Sequence, residues 1–215
     1  MRERMEIKKL NLSVVVLAID HNPTILHPSF LTSEGIVPKD WELAEPPLCT
    51  PPFSVVKFKN GISFTVESRK FQVVQSPAPP VLENSEIPKL AIRYVEKLPF
   101  VRYTAVGINI GVAIKNSNPE DALITKFLRA KNCSVNDLKL KSVSLRFQYP
   151  LGNCRLNLSC EPGTFNGGSL KGILVNGNYH TDCPGDNPLL EAKENILKFS
   201  DRCKHFEGTV LQKLF

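Results

Sequence analysis

The chain has 215 residues, enough for one large domain or two small ones, and carries a formal net charge of +6. Hydrophobic residues make up 42% and charged residues 22%, a composition that supports a packed core and excludes wholesale disorder. No apolar run approaches the roughly 20 residues that a membrane-spanning helix needs, so we expect no contact with a membrane interior.

The chain opens with a positively charged segment and a short apolar run over 14–19. Asp20 and His21 follow this run, and no cleavage site of small residues is present. The pattern therefore predicts a buried first strand over 10–19 rather than a signal peptide.

Six cysteines are present, and no two of them form a Cys-x-x-Cys pair. They are Cys49, Cys133, Cys154, Cys160, Cys183 and Cys203. Cys154 and Cys160 share the parity of one strand face, which predicts buried thiols that pack as small apolar side chains. Because no export signal precedes them, we expect reduced cysteines and a cytoplasmic location.

The first half continues with a helix start, three strands and a second helix. Asn22 followed by Pro is typical of a helix N-terminus, but further Pro and Gly residues allow only a short or broken helix. The stretch FSVVKFKNGISFTVE predicts two strands joined by a type I′ turn at Asn60-Gly61, and 70–75 predicts the third. The apolar side of the second helix is formed by Leu90, Ala91, Tyr94, Val95 and Leu98.

The second half repeats this succession. The segment VRYTAVGINIGVAI (101–114) alternates large apolar residues with small ones, so its small side leaves room for a close neighbour. Asn118 and Asn187, each followed by Pro, predict two helix starts. Further strands are expected at about 142–149, 153–160, 169–180 and 208–215. Asn176-Gly177 predicts a turn within the third of these.

The two halves also share a local pattern. Phe30-Leu31 and Phe127-Leu128 each follow an Asn-Pro pair, and the same order of elements surrounds both. This predicts an α+β fold made of two tandem β-α-β-β-β-α units, 1–98 and 99–215, the second with an added C-terminal strand. Antiparallel sheet with helices on one face would result. The alternative is one irregular α+β domain.

This element order resembles the duplicated fold of the TATA-binding protein. The intercalating Phe pairs of that protein have no counterpart in this chain, so its DNA chemistry is not implied. The segments FKNGISFTVESRKFQVVQ, VRYTAVGINI and FSDRCKHFEGTVL resemble a sporadically distributed family of uncharacterised bacterial proteins. That resemblance implies a bacterial origin and a cytoplasmic location, and it implies no particular activity.

No motif in the chain points to catalysis or to a cofactor. Gly-x-Ser-x-Gly is absent, and the Gly-rich stretch over 163–172 lacks the Gly-Lys-Ser/Thr ending of a phosphate-binding loop. Cys203 and His205 would point about 200° apart on a helix, so they cannot share one zinc ion. We therefore expect a protein with no metal or cofactor, and a non-enzymatic function is favoured.

The sequence favours a binding protein whose partner contacts an open sheet face or the Gly-rich loop. The residues predicted to contact the partner are Lys57, Lys59, Arg146, Arg155, Lys171 and Phe165, the last as an exposed apolar tip. Another protein is the favoured partner. The alternative is a nucleic acid, because phosphates bind cations, although no aromatic side chains accompany these ones. Edge strands would also permit a homodimer.

Overall fold

The structure, a computed structural model, describes residues 6–128, 135–136 and 138–215. The strands are β1 (Ile7–Ala18), β2 (Leu48–Cys49), β3 (Phe53–Lys57), β4 (Ile62–Glu67), β5 (Lys70–Gln75), β6 (Tyr103–Lys115), β7 (Leu145–Leu151), β8 (Cys154–Phe165) and β9 (Leu170–Asp182). The helices are α1 (Pro28–Ser33), α2 (Ile87–Glu96), α3 (Pro119–Phe127), α4 (Pro188–Leu197), α5 (Phe199–His205) and a last turn, α6 (Gln212–Leu214). The protein is therefore an α+β protein, as predicted.

All nine strands form one antiparallel sheet in the order β2-β3-β4-β5-β1-β6-β9-β8-β7. Its centre is the pair β1 and β6, in which Leu12 lies opposite Ile110 and Val14 opposite Ile108. The strands β3–β5 extend the sheet on one side of this pair, and β7–β9 extend it on the other. The predicted division between residues 98 and 99 falls before β6 and stays a prediction.

The helices pack on one face of the sheet. The ring of Tyr94 in α2 stacks on Phe71 of β5 with a centroid distance of 3.7 Å. On the same face, the hydroxyl of Tyr103 donates to the carbonyls of Val95 and Leu98 at the C-terminal end of α2. The predicted apolar side of α2 is confirmed, because Leu90, Ala91, Tyr94 and Val95 are buried. The core lies between these helices and the alternate side chains of the strands.

The Asn-Pro pairs do not all begin helices in the same way. Asn187 caps α4, since its side-chain oxygen accepts a hydrogen bond from the amide of Leu190. Asn22 caps only the short 3₁₀ turn Pro23–Ile25, and α1 begins afterwards at Pro28 with His27 as its cap. The broken helix that we predicted for this region is therefore two short pieces.

The turn at Asn60-Gly61 differs from the type I′ turn that we predicted. Of the two residues, only Gly61 has a positive φ, at 83°. The amide of Gly61 donates to the carbonyl of Phe58, and the amide of Phe58 donates to the carbonyl of Ile62. This geometry is a type I turn closed by a glycine bulge, which suits the hairpin twist equally well.

Asn176-Gly177 lies inside β9 rather than at a turn, which corrects the prediction. A Cβ at Gly177 would lie 2.6 Å from the Cε2 atom of Phe206, so the missing side chain makes room for this ring. The glycine therefore allows the helical segment to pack closely on the sheet, since a glycine inside a strand often marks a site of close approach.

The prediction of a final strand over 208–215 is wrong. After α5 the chain continues as a π-helical stretch, Phe206–Leu211, and ends in α6. Phe206, Val210 and Leu211 are buried, so the apolar residues of this segment follow a helical period and face the core.

The cysteines of the described residues are free thiols. Cys154 and Cys160 are buried, as predicted, while Cys133 lies outside the described residues. Burial raises the pKa of Cys160 to about 11 and that of Cys203 to about 12. These thiols are therefore protonated and poorly nucleophilic near neutral pH.

Within 6–128, 135–136 and 138–215, no helix is both long enough and apolar enough to cross a membrane. The outer edges of the sheet are the short β2 and the longer β7, which contains Pro150. Pro lacks an amide hydrogen and weakens an edge as a template for another strand. A homodimer through these edges stays a prediction.

We expect Gly177→Ala to destabilise the protein by about 1–3 kcal/mol, because a methyl group would overpack the contact with Phe206. The matched control is Gly208→Ala, where nothing lies within 4 Å of the added Cβ. That change should be neutral or slightly stabilising. Urea unfolding of both variants measures the difference, and equal stabilities would contradict the packing role of Gly177.

His21 should make the fold less stable in mild acid. Its side chain is 2% exposed, and burial lowers its pKa below the ordinary value of 6.5. Below about pH 6.5 the unfolded chain binds a proton that the folded chain does not, so the free energy of unfolding falls as the pH falls. The slope contributed by His21 is at most about 1.4 kcal/mol per pH unit.

The test compares urea unfolding of the natural chain and His21→Gln between about pH 7 and pH 5. The amide of Gln keeps a donor for the carbonyl of Val16, which lies 3.2 Å from the Nε2 atom of His21, and does not titrate. The variant should lose less stability on acidification. An unchanged pH dependence would show that His21 does not cause it.

Candidate functional site

The face of the sheet opposite the helices is open in the part of the chain that the structure describes. At its centre lie the small residues of β6 that the sequence placed on one side, together with Asn109. The room that they leave is filled by neighbouring amide side chains. A Cβ at Gly111 would lie 2.8 Å from the Oδ1 atom of Asn11, and one at Gly107 would lie 3.2 Å from the Nδ2 atom of Asn178.

A chain of side-chain hydrogen bonds crosses this face from β7 to β1. Gln148 donates to Asn157 at 2.9 Å, and Asn157 donates to Asn178 at 3.2 Å. Asn178 then donates to Asn109, whose amide donates to the hydroxyl of Ser13 at 2.9 Å. Strand register explains the alignment, because each pair occupies directly opposite positions of adjacent strands. We call these five residues the amide chain.

All hydrogen bonds of the amide chain run in the same donor-to-acceptor direction, and its amides retain unused donors and acceptors. Each of the three Asn amides donates one N–H towards β1 and accepts one hydrogen bond from the side of β7, whereas Gln148 at the start of the chain only donates. An Asn amide has two N–H donors and an oxygen with two lone pairs. The side chains of Asn109, Asn157 and Asn178 can therefore each make one further donor and one further acceptor contact with a molecule that lies on the face.

The amide chain ends at Ser13, because the residue of β5 that pairs with Ser13 is Val74, whose side chain forms no hydrogen bonds. Ser63 of β4 and Lys57 of β3 follow in the same row. Along this row, amides therefore lie on the β6–β7 side of the central strand pair, and hydroxyl, aliphatic and charged groups lie on the β1–β3 side.

A hollow of about 540 Å³ lies over the amide chain where it meets the edge of the sheet. Its lining residues are Arg146, Phe147, Gln148, Asn157, Leu158, Ser159, Asn176 and Asn178. Arg146 is exposed and has no carboxylate within 4.0 Å among the described residues. The hollow therefore combines amide groups with one guanidinium, whose N–H groups can donate to a bound molecule.

Three of the predicted cations are engaged with carboxylates. Lys57 lies 3.0 Å from Glu45, and Arg155 lies 3.4 Å from Asp182. Lys59 pairs with Glu42 and sits in the turn after β3 rather than on a strand face. All three pairs are solvent-exposed and so contribute little to stability, but they reduce the positive charge that the face offers.

The two remaining predicted residues are placed differently from what the sequence indicated. Lys171 alternates with Gly172 and has the parity of Ile173, which puts it on the side of the helices rather than on the open face. Phe165 was expected as an exposed tip, yet only 8% of it is exposed. Its ring fills the space over Gly172, where a Cβ would lie 2.8 Å from the ring.

One contact between a His and a carboxylate lies on the open face within the described residues. The Nε2 atom of His180 lies 2.9 Å from Asp182, which also contacts Arg155. The nearby Cys183 is buried, and this burial raises the pKa of its thiol. The contact lies at an exposed strand end and does not line the hollow. In the described ranges, no three His, Cys, Asp or Glu side chains are grouped so as to hold a metal ion.

The chain matches no protein-family model, and no curated protein is significantly similar to it in sequence. The predicted resemblance to a family of uncharacterised bacterial proteins therefore stays a prediction.

Alternation alone places Asn109 on the small side of β6, but the sequence pattern did not identify the amide chain that joins it to Ser13, Asn157 and Asn178. A signal was present, because Asn is depleted in strands and yet occurs inside β6, β8 and β9. The sequence pattern does not reveal the strand register, and it is the register that places these residues opposite one another.

The hydrogen bond between Asn178 and Asn109 should be measurable as a coupling. We expect Asn109→Ala and Asn178→Ala to destabilise the protein, and the double variant to lose about 0.5–1.5 kcal/mol less than the sum. Urea unfolding of the four proteins gives this value. The matched control pairs Asn109→Ala with Thr65→Ala on β4, two residues that are not paired, and should be additive. Additivity in both cycles would contradict a linked chain.

Proposed function

We propose that this chain is a non-enzymatic binding protein and that the open face of its sheet contacts another protein. The observation that carries the proposal is the amide chain, which lies on a face that no described helix covers. Its free N–H groups and lone pairs match the groups of a polypeptide, since backbone and polar side chains offer both donors and acceptors.

Charge supports a protein over a nucleic acid as the partner. Phosphate binding requires cations that are free to replace counterions. Lys57, Lys59 and Arg155 each face a carboxylate of this chain, so a phosphate would compete with that partner. Aromatic side chains that could stack on bases do not line the centre of the face in the described residues, where Ser, Asn, Gly and Ala prevail.

We also propose that residues 1–98 and 99–215 are tandem copies of one β-α-β-β-β-α unit, with the element order of the TATA-binding protein. The strand order supports this proposal, because the first strands of the two proposed units pair at the centre of the sheet. The remaining strands of each unit then lie on their own side. The segment around Phe127-Leu128 extends into residues outside the described ranges, so a superposition that tests this proposal would compare the strands of the two halves and α2 with α4.

A nucleic acid is the second candidate partner, and Arg146 favours it. This guanidinium lies at the edge of an amide-lined hollow, and Arg binds phosphates and guanine edges well. If this candidate is correct, duplex DNA should be retained at low salt and released as salt rises. Arg146→Gln should then lower the salt slope by about 1.

The decisive experiment is site-specific photo-cross-linking in the native host. A photoreactive phenylalanine analogue replaces Gln148 on the open face or, as the matched control, Asp201, which is exposed on α5. We expect a discrete adduct from position 148 that is sensitive to protease and resistant to nuclease, and no adduct from position 201. A nuclease-sensitive adduct would support the second candidate, whereas identical adducts at both positions would rule out the open face as the binding surface.

A further inference from the structure

A second cavity lies on the opposite side of the sheet, beneath the C-terminal helical segment. Its volume is about 300 Å³, at the lower end of the range for ligand-binding pockets. Leu151, Leu156, Val210 and Leu214 contribute its apolar walls. The π-helical stretch Phe206–Leu211 forms one side of it, and π-helical turns are rare and occur frequently at functional sites.

One residue that lines the cavity, His205, belongs to a polar pair. The hydroxyl of Tyr179 lies 2.8 Å from the Nδ1 atom of His205, a residue that lines the cavity. Burial and the neighbouring Arg202 lower the pKa of His205, so its ring is neutral near pH 7. When the Tyr179 hydroxyl donates to Nδ1, the proton of the neutral ring resides on Nε2, and His205 has a donor left for a ligand.

The cavity offers positive charge and no negative charge. Lys213 lines it and has no carboxylate within 4.0 Å in the part of the chain that the structure describes. Glu207, the nearest acid along this helical segment, is engaged with Lys9. The remaining lining groups are apolar, apart from the hydroxyls of Thr209 and Tyr149. A ligand must therefore bring acceptors and an apolar body, and a cation is disfavoured.

We propose that this cavity binds a small amphipathic monocarboxylate. The apolar body lies among Leu156, Val210 and Leu214, where it leaves water, and the carboxylate pairs with Lys213 at the mouth. At roughly 30 Å³ for each non-hydrogen atom, the volume holds a ligand of about ten such atoms. Octanoate has this size and chemistry and serves as the probe. The site shares no residue with the amide chain and is independent of the partner proposed for the open face.

The test is calorimetric and NMR titration of the full chain with octanoate, octanol and octylamine, which differ only in the head group. We expect saturable binding in the order octanoate, octanol, octylamine, with shifts confined to residues around Leu156 and Val210. Lys213→Met should weaken octanoate about threefold to fivefold, the effect of losing an exposed ion pair, and leave octanol unchanged. The matched control Lys204→Met removes an exposed charge of α5 and should change neither.

Val210→Trp fills the cavity and should weaken octanoate at least tenfold while the chain stays folded. If that variant does not fold, the comparison of Lys213→Met with Lys204→Met decides alone. The proposal is overturned if octanoate does not bind the natural chain, if octylamine binds as tightly as octanoate, or if both Lys variants behave alike.

Discussion

The structure depends above all on the antiparallel pairing of β1 with β6. This pairing runs from Ile7 opposite Ile114 to Ala18 opposite Tyr103 and joins strands that are far apart in the chain. On the covered side it brings Leu12, Val14 and their neighbours against Ile108 and Ile110, and each fully buried aliphatic side chain contributes about 1.5–3 kcal/mol. Without this seam the sheet would separate into two smaller sheets with exposed inner edges.

On the open face, the pairing of β1 with β6 is stabilised by polar contacts rather than by apolar packing. The side chains of β6 are small here, so the strand lies close beneath the amides of Asn11, Asn176 and Asn178. The hydrogen bond from Asn109 to Ser13 crosses the seam, and Ser13 is only 4% exposed although no described helix covers it. The seam is therefore fixed by apolar packing on one face and by a polar chain on the other, which makes its register specific.

The sequence predicted elements well where one period dominates. The alternation in β4, β5 and β6 and the apolar side of α2 each match only one kind of element, so these predictions hold to within a residue or two. The prediction of a C-terminal strand failed because the spacing of Val210, Leu211 and Leu214 fits a short strand and a helix equally well. The prediction of a turn at Asn176-Gly177 failed because Asn-Gly usually marks a turn. Here the glycine makes room for the ring of Phe206, a residue that is distant in the sequence and that no local pattern connects with it.

For the candidate site residues too, the sequence reveals local features but not contacts between distant parts of the chain. Alternation placed Lys57, Arg146 and Arg155 on the open face correctly, because parity is a local property. The charge partners of Lys57 and Arg155 come from other parts of the chain: Glu45 lies in the loop before β2, and Asp182 reaches Arg155 through the pairing of β8 with β9. Lys171 was assigned to the wrong face, since it has the parity of Ile173 and Val175, which are buried on the covered side of β9.

The two proposed sites use opposite faces of the same strands. In β8, Leu156 lines the cavity and its neighbour Asn157 belongs to the amide chain. In β9, Tyr179 bonds His205 beneath the helical segment, and the adjacent Asn178 bonds Asn109 on the open face. Because successive side chains of a strand point to opposite faces, one residue along the chain separates the two chemistries. A substitution at Asn157 or Asn178 therefore alters the open face and leaves the lining of the cavity unchanged. The two binding sites can for this reason be tested independently of each other.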